Sequence, residues 1–188
     1  MNTKHRCGWC EGDALYEAYH DEEWGVPVRD DATFFEFLVL ETFQAGLSWI
    51  TILRKRENFR KAFDNFDYQK IANYTTSKTD SLLQDPGIIR NKLKVNATVT
   101  NARAYMAVQQ EFGNFNNYIW AFVNGKPLKN SFSNYKDAPA KTELSDAISK
   151  DLKKRGFKFV GSTIVYAFLQ ATGIVNDHET GCFRYAEV

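Results

Sequence analysis

Apolar residues recur three and four positions apart along most of this chain, and nowhere do they alternate over a run long enough to build a sheet. That pattern excludes sandwiches, barrels and parallel α/β layers and leaves an all-α fold. The clearest stretch is Asp30–Gly46, where Phe34, Phe35, Leu38, Val39, Thr42 and Phe43 follow an Asp cap and an acidic start. Ser48 can cap a second helix carrying Trp49, Ile52, Leu53, Phe59 and Phe63. Shorter helices are expected near Tyr68–Asn73 and Lys78–Gln84, and a long one over Ile88–Gln110. Phe115–Val123 is brief and apolar on one side. Residues 124–141 are polar, hold two of the four prolines and read as a surface loop. Thr142 caps a helix with Leu144, Ile148 and Leu152 at four-residue spacing, and a last helix runs from Ser162 to Thr172. With 188 residues and no internal repeat, residues 1–188 are expected to form one unit, at most two intimate helical lobes.

Composition narrows the function classes. A chain 44% apolar and 25% charged is neither disordered nor a small disulfide scaffold. No stretch reaches the ~18 apolar residues of a membrane span. The start, Met1-Asn2-Thr3-Lys4-His5-Arg6-Cys7, lacks the apolar stretch of a secretory signal, so a cytoplasmic address is the default expectation. The net charge of +1 excludes a strongly cationic coat for nucleic acid but allows a local basic face.

All six cysteines and histidines lie in residues 5–20 or 178–182, with none between. An odd number of cysteines in an expected cytosolic chain argues against a disulfide framework. His178 and Cys182 share one turn or a short loop, whereas Cys7 and His20 require a loop followed by a helix. Two ligands from each end would make a closed, tetrahedral, structural site, with zinc the expected ion. Cys7-x-x-Cys10 is a competing half-site, and buried thiols with surface histidines a third arrangement. Spacing does not decide among them.

Two further features carry chemistry. Asp85-Pro86-Gly87-Ile88-Ile89-Arg90 sits between predicted helices, so backbone amides at the opening of the second are placed for a phosphate. Arg90, Lys92 and Lys94 follow on that helix. The same residues also describe an ordinary helix connection with a solvated basic face. The second feature is Glu41, a carboxylate in an apolar helix, followed by Gly46-Leu47-Ser48-Trp49. Trp9, Tyr16, Tyr19 and Trp24 crowd a short span upstream. Taken one at a time these are core aromatics and a surface glutamate. Together they offer flat walls and one acceptor, which suits an extruded nucleobase.

Several long motifs in order resemble the DNA-3-methyladenine glycosylase I family: Cys7-Gly8-Trp9, Tyr19–Pro27, Gln44–Trp49, Pro86–Arg90, Arg155–Gly161 and Asn176-Asp177-His178. The resemblance covers nearly the whole chain. It implies the helix-hairpin-helix glycosylase superfamily, with the hairpin near residues 82–103 and one structural zinc ion tethering the two ends. It further implies Cys7, His20, His178 and Cys182 as ligands, in preference to Cys10. The base pocket it implies comprises Glu41, Trp9, Tyr16, Tyr19 and Trp49. The wider superfamily's catalytic aspartate is not expected.

The expected activity is therefore monofunctional hydrolysis of the N-glycosidic bond of 3-methyladenine in alkylated double-stranded DNA, by a monomer that releases the free base. Glu41 would be the catalytic residue, contacting the flipped base, and Leu47 would fill the vacated stack. Gly87, Ile89, Arg90 and Lys92 would hold the DNA backbone. The rival expectation is a zinc-stabilised helical DNA-binding protein without catalysis. A hydrolase with catalytic zinc is weaker, because four protein ligands leave no open position.

Overall fold

The computed structural model describes residues 4–188; residues 1–3, where the expectation about the chain's start falls, lie outside the described residues. Helix α1 (Ala14–Glu22) is opened by Asp13, whose side chain accepts from the amides of Leu15 and Tyr16. Helix α2 (Asp31–Gln44), capped by Asp30, is buried at every position from Phe37 to Phe43. A helix covered on all sides is a core helix, and the others pack around it. Helix α3 (Trp49–Ala62) follows after a short turn, then α4 (Tyr68–Ile71) and α5 (Thr76–Leu82). Helix α6 (Lys92–Phe112) and helix α7 (Phe115–Ala121) complete the first half. Helices α8 (Glu143–Lys154) and α9 (Ser162–Ala171) pack on each other, and α9 returns to α2. The Asp31 carboxylate ties these layers together by accepting from the amides of Phe115 and Asn116 and from Gln109.

The protein is mostly helical, as the apolar period requires. Two differences bear on the site. Helix α6 begins at Lys92 rather than Ile88, because the Pro86-Gly87 turn runs on to Asn91, whose side chain caps the helix by accepting from the Lys94 amide. The polar loop 124–141 is partly structured. Leu128–Lys129 (β1) pairs in parallel with Val175–Asn176 (β2), Leu128 opposite Val175. Strands of two residues leave no alternation to read. This pairing brings the loop against the chain's end, where Phe132 bridges to Glu179. Among the described residues, no helix is long and apolar enough to cross a membrane.

Candidate functional site

A cavity of about 230 Å³ opens between α1, the end of α2, the start of α3 and α9. That is below the roughly 300–1,000 Å³ of sites for drug-sized ligands and suits one flat ring. Its aromatic walls are Trp9, Tyr16, Tyr19 and Trp49, so the structure brings the sequence-predicted pocket residues together. Trp9 meets Tyr16 edge-on at 4.8 Å, and Tyr19 lies tilted against Trp49 at 5.5 Å.

Glu41 also lines this cavity at 3% exposure. Among the described residues its Oε2 has no hydrogen-bond partner, and neither does the buried Nε1 of Trp49. Burial alone raises the Glu41 carboxyl to about 8. An acceptor and a donor are thus left unsatisfied at the same cavity. Each carries a desolvation cost that a ligand with a complementary edge would relieve.

Seven further lining residues carry no role in the sequence reading: the small Ala138 and Ala167, and the larger Trp24, Gln44, Tyr135, Gln170 and Asp177. Trp24 belongs to the aromatic cluster, and Gln44 and Asp177 to stretches that resemble the family, so these three carry a signal. Tyr135 carried none, because it arrives on the polar loop, fastened by its amide donating to Glu179. Asp177 accepts from Asn130, Tyr166 and Gln170, which holds its carboxylate rigidly in the wall.

Cys7, His20 of α1, His178 and Cys182 converge, all four buried and with ligand atoms within 4.8 Å of one another. Neighbouring Sγ and imidazole nitrogens are 3.4–3.7 Å apart. Those spacings match the edges of a tetrahedron with arms of ~2.0–2.3 Å. The outer nitrogens are also engaged, His20 Nδ1 with Asp21 at 2.9 Å and His178 Nε2 with the Trp24 carbonyl at 3.1 Å. Such partners fix ring orientation around a metal. The Cys182 thiol is lowered by its hydrogen bond from Cys7 and by the two imidazoles, whereas Cys7 is raised by the same bond and by burial. The cluster can hold a metal ion. Cys10 stands outside it: its Sγ donates to the Cys7 carbonyl, and burial pushes the thiol up to about 12.

At the hairpin, Leu82 and Ile88 are buried and close the turn, while Arg90 and Lys92 are exposed. The Gly87 amide donates to Asp85, so it is not free for a phosphate. Among the described residues the amides of Ile89 and Arg90 have no partner. Lys94 differs from the sequence expectation of a basic face. It is 6% exposed and points inward, because two carbonyls at the end of α2 accept from it. Leu47 stands exposed on the turn between α2 and α3, where Gly46 takes φ +80.

A helical frame enclosing one unpartnered carboxylate between aromatic faces is the arrangement of an enzyme for a flat, electron-poor ring. The chain belongs to the methyladenine glycosylase family, whose model matches residues 9–185. It is 51% identical over 180 residues to DNA-3-methyladenine glycosylase 1 of Escherichia coli, covering 96% of each chain. A crystal structure of 3-methyladenine DNA glycosylase I, 51% identical, superposes with a TM-score of 0.92 over 95% of this chain and 98% of that one. The Staphylococcus aureus 3-methyladenine DNA glycosylase I, in a structure on the basis of 3-methyladenine recognition, is 37% identical with a TM-score of 0.92, over 95% of each chain.

Proposed function

We propose that this chain, as one glycosylase unit over residues 1–188, excises 3-methyladenine from alkylated duplex DNA by hydrolysing the N-glycosidic bond. The observation that carries the reading is the unpartnered Glu41 carboxyl in an aromatic pocket, in a chain matched by the family over 9–185. A non-catalytic DNA binder has no use for such a pocket.

Methylation at N3 makes adenine cationic while it is still attached to the sugar. The bond to C1′ breaks with its electron pair going to the base, which leaves neutral without a general acid. Positive charge passes to the sugar, water adds at C1′, and a proton is lost to solvent. The protein's work is therefore to extrude, select and desolvate. Tyr16, Tyr19, Trp9 and Trp49 grip the ring, each cation–π contact being worth ~0.5–2 kcal/mol. As the cation enters, Glu41 releases its proton to solvent and, as the carboxylate, accepts from the exocyclic amine. Because the base loses its charge as the bond breaks, this contact acts on capture of the flipped base rather than on bond cleavage. Leu47 fills the vacated stack, and Arg90 and Lys92 with the free amides of Ile89 and Arg90 hold the backbone, the hairpin working as a helix-hairpin-helix with Gly87 making its turn.

The Cys7, His20, His178 and Cys182 set fits zinc, since two thiolates and two imidazoles at tetrahedral spacing leave no open position for catalysis. A bound ion would supply structural rather than catalytic chemistry, these four residues then tying the two ends of the chain together beside the pocket. Chromatography of bases released from methylated duplex DNA tests the reading. The full chain is expected to release 3-methyladenine, and no free base above the uncatalysed rate would reject it.

A further inference from the structure

Lys94 is a basic residue of the hairpin helix that the DNA cannot reach. Its ammonium, inside the protein, donates to the carbonyls of Phe43 at 2.9 Å and Ala45 at 2.7 Å. Phe43 is in the last turn of α2 and Ala45 is the residue that ends it, and the helix has no basic residue in its own final turn. A positive charge there complements the helix dipole and satisfies groups that would otherwise be orphaned. Among the described residues no carboxylate shares the contact, and an ammonium buried against neutral carbonyls alone is a costly way to close a helix end.

What lies next to this contact gives it a purpose. Ala45 is followed by Gly46 and Leu47, the turn carrying the exposed side chain assigned to the vacated stack. The turn is closed by Leu47 donating from its amide to the Gln44 carbonyl at 2.7 Å, while the Gln44 side chain donates to the Leu47 carbonyl at 3.0 Å. On the far side of the same turn, α3 reaches the hairpin. Lys55 donates to the carbonyls of Pro86 and Gly87 at 3.1 and 3.2 Å. Gly87 sits so near Asn58 that an added Cβ would lie 3.1 Å from the Asn58 Cβ. The hairpin is thus fastened both to the helix entering the Leu47 turn and to the helix leaving it.

We infer that Lys94 is a positioning residue for excision: by tying α6 to the end of α2 it fixes Leu47 relative to the hairpin, so that both engage one duplex in register. The inference rests on the proposed glycosylase reading and deepens it. Lys94 touches neither base nor phosphate; it acts through Leu47.

A double-mutant cycle tests this in the full chain. Single-turnover release of 3-methyladenine from methylated duplex is measured for Lys94→Met, Leu47→Ala and the pair. Each single variant is expected to be about 10–100-fold slower, and the pair no more than about threefold slower than Leu47→Ala alone. Affinity for free 3-methyladenine, read from tryptophan fluorescence, is expected to stay within about twofold of wild type, which a general loosening of the fold would not allow. If Lys94→Met is insoluble, Lys94→Gln, with one donor and no charge, takes its place in the same cycle. Multiplying effects in the pair, wild-type excision by the Lys94 variant, or a parallel loss of free-base affinity would each overturn the inference. Absence of release by the wild-type chain would reject the glycosylase reading instead, and full activity of Leu47→Ala would reject the assignment of that leucine and the inference with it.

Discussion

Glu41 holds its proton in the folded chain up to about pH 8, whereas an ordinary glutamate releases it near 4.5. Between those values the folded state binds more protons than the unfolded state, so stability falls as pH rises through the window. The penalty is absent below the unfolded value and complete above the folded one. Glu41→Gln should therefore melt higher than wild type near pH 8, with a flatter melting curve between about pH 5 and 8; thermal melts across that range check it. The same substitution should lower kcat/KM for 3-methyladenine release at least tenfold, because a charge-assisted contact is worth roughly 1.5–3 kcal/mol. Free 3-methyladenine has lost the positive charge that ionises Glu41, so its affinity for the variant should change less than excision does. At this scale the sequence was legible wherever a residue was out of place, as Glu41 was among Leu38, Val39, Leu40 and Phe43. It was silent on Tyr135, whose position depends on an amide bond to Glu179, 44 residues away. It misled on Lys94, since a lysine beside Arg90 and Lys92 reads as surface until the end of α2 is seen to meet it.

Elements were legible where capping and period agreed. Asp30 opens α2 and Thr142 opens α8 with a reciprocal capping box through Ser145. They were less legible where a turn competed: Asn91 caps α6 after the Pro86-Gly87 turn, although the apolar Ile88 and Ile89 extend the helical pattern backward. The pairing of β1 with β2 depends on a contact between residues 128 and 175 and has no local signature. The corrected hairpin leaves Arg90 and Lys92 as its exposed cations, so the DNA-binding prediction is confined to them. Arg90→Glu with Lys92→Glu should weaken binding to any duplex, damaged or not. It should also reduce the slope of log K against log salt by about 2, at roughly 0.9 for each phosphate no longer neutralised. A salt titration of binding to undamaged DNA measures this, and an unchanged slope would remove the hairpin from the DNA interface.

Across the whole molecule, the chain's two ends meet at one cluster that also touches the pocket. That both ends carry every cysteine and histidine was visible in the sequence; that Cys10 turns away to the Cys7 carbonyl was not, because it is a matter of side-chain direction. A metal joining Cys7 and His20 to His178 and Cys182 closes a loop of most of the chain. By analogy with a covalent cross-link, such a tie is worth on the order of 3 kcal/mol or more. At roughly 2–4 °C per kcal/mol for a chain of this size, Cys182→Ser should lower the Tm by about 6–12 °C and the bound zinc to well under one ion per chain. Cys10→Ser should keep one zinc; loss of the metal there, with retention in His20→Ala, would show that the ligand set is wrong. The effect on excision should be smaller but real, and its route is set by Trp24. The carbonyl of Trp24 accepts from His178 Nε2, its ring lies 4.6 Å from that imidazole, and the same residue lines the cavity. Asp177, beside His178 in the chain, lines it as well. Loosening His178 thus frees two pocket walls while leaving Glu41 and Trp49 on α2 and α3. Measured well below its lowered Tm, Cys182→Ser should therefore bind free 3-methyladenine a few-fold more weakly and release it from DNA a few-fold more slowly. Its binding to undamaged duplex, assigned under the proposed reading to residues 85–92, should be unchanged.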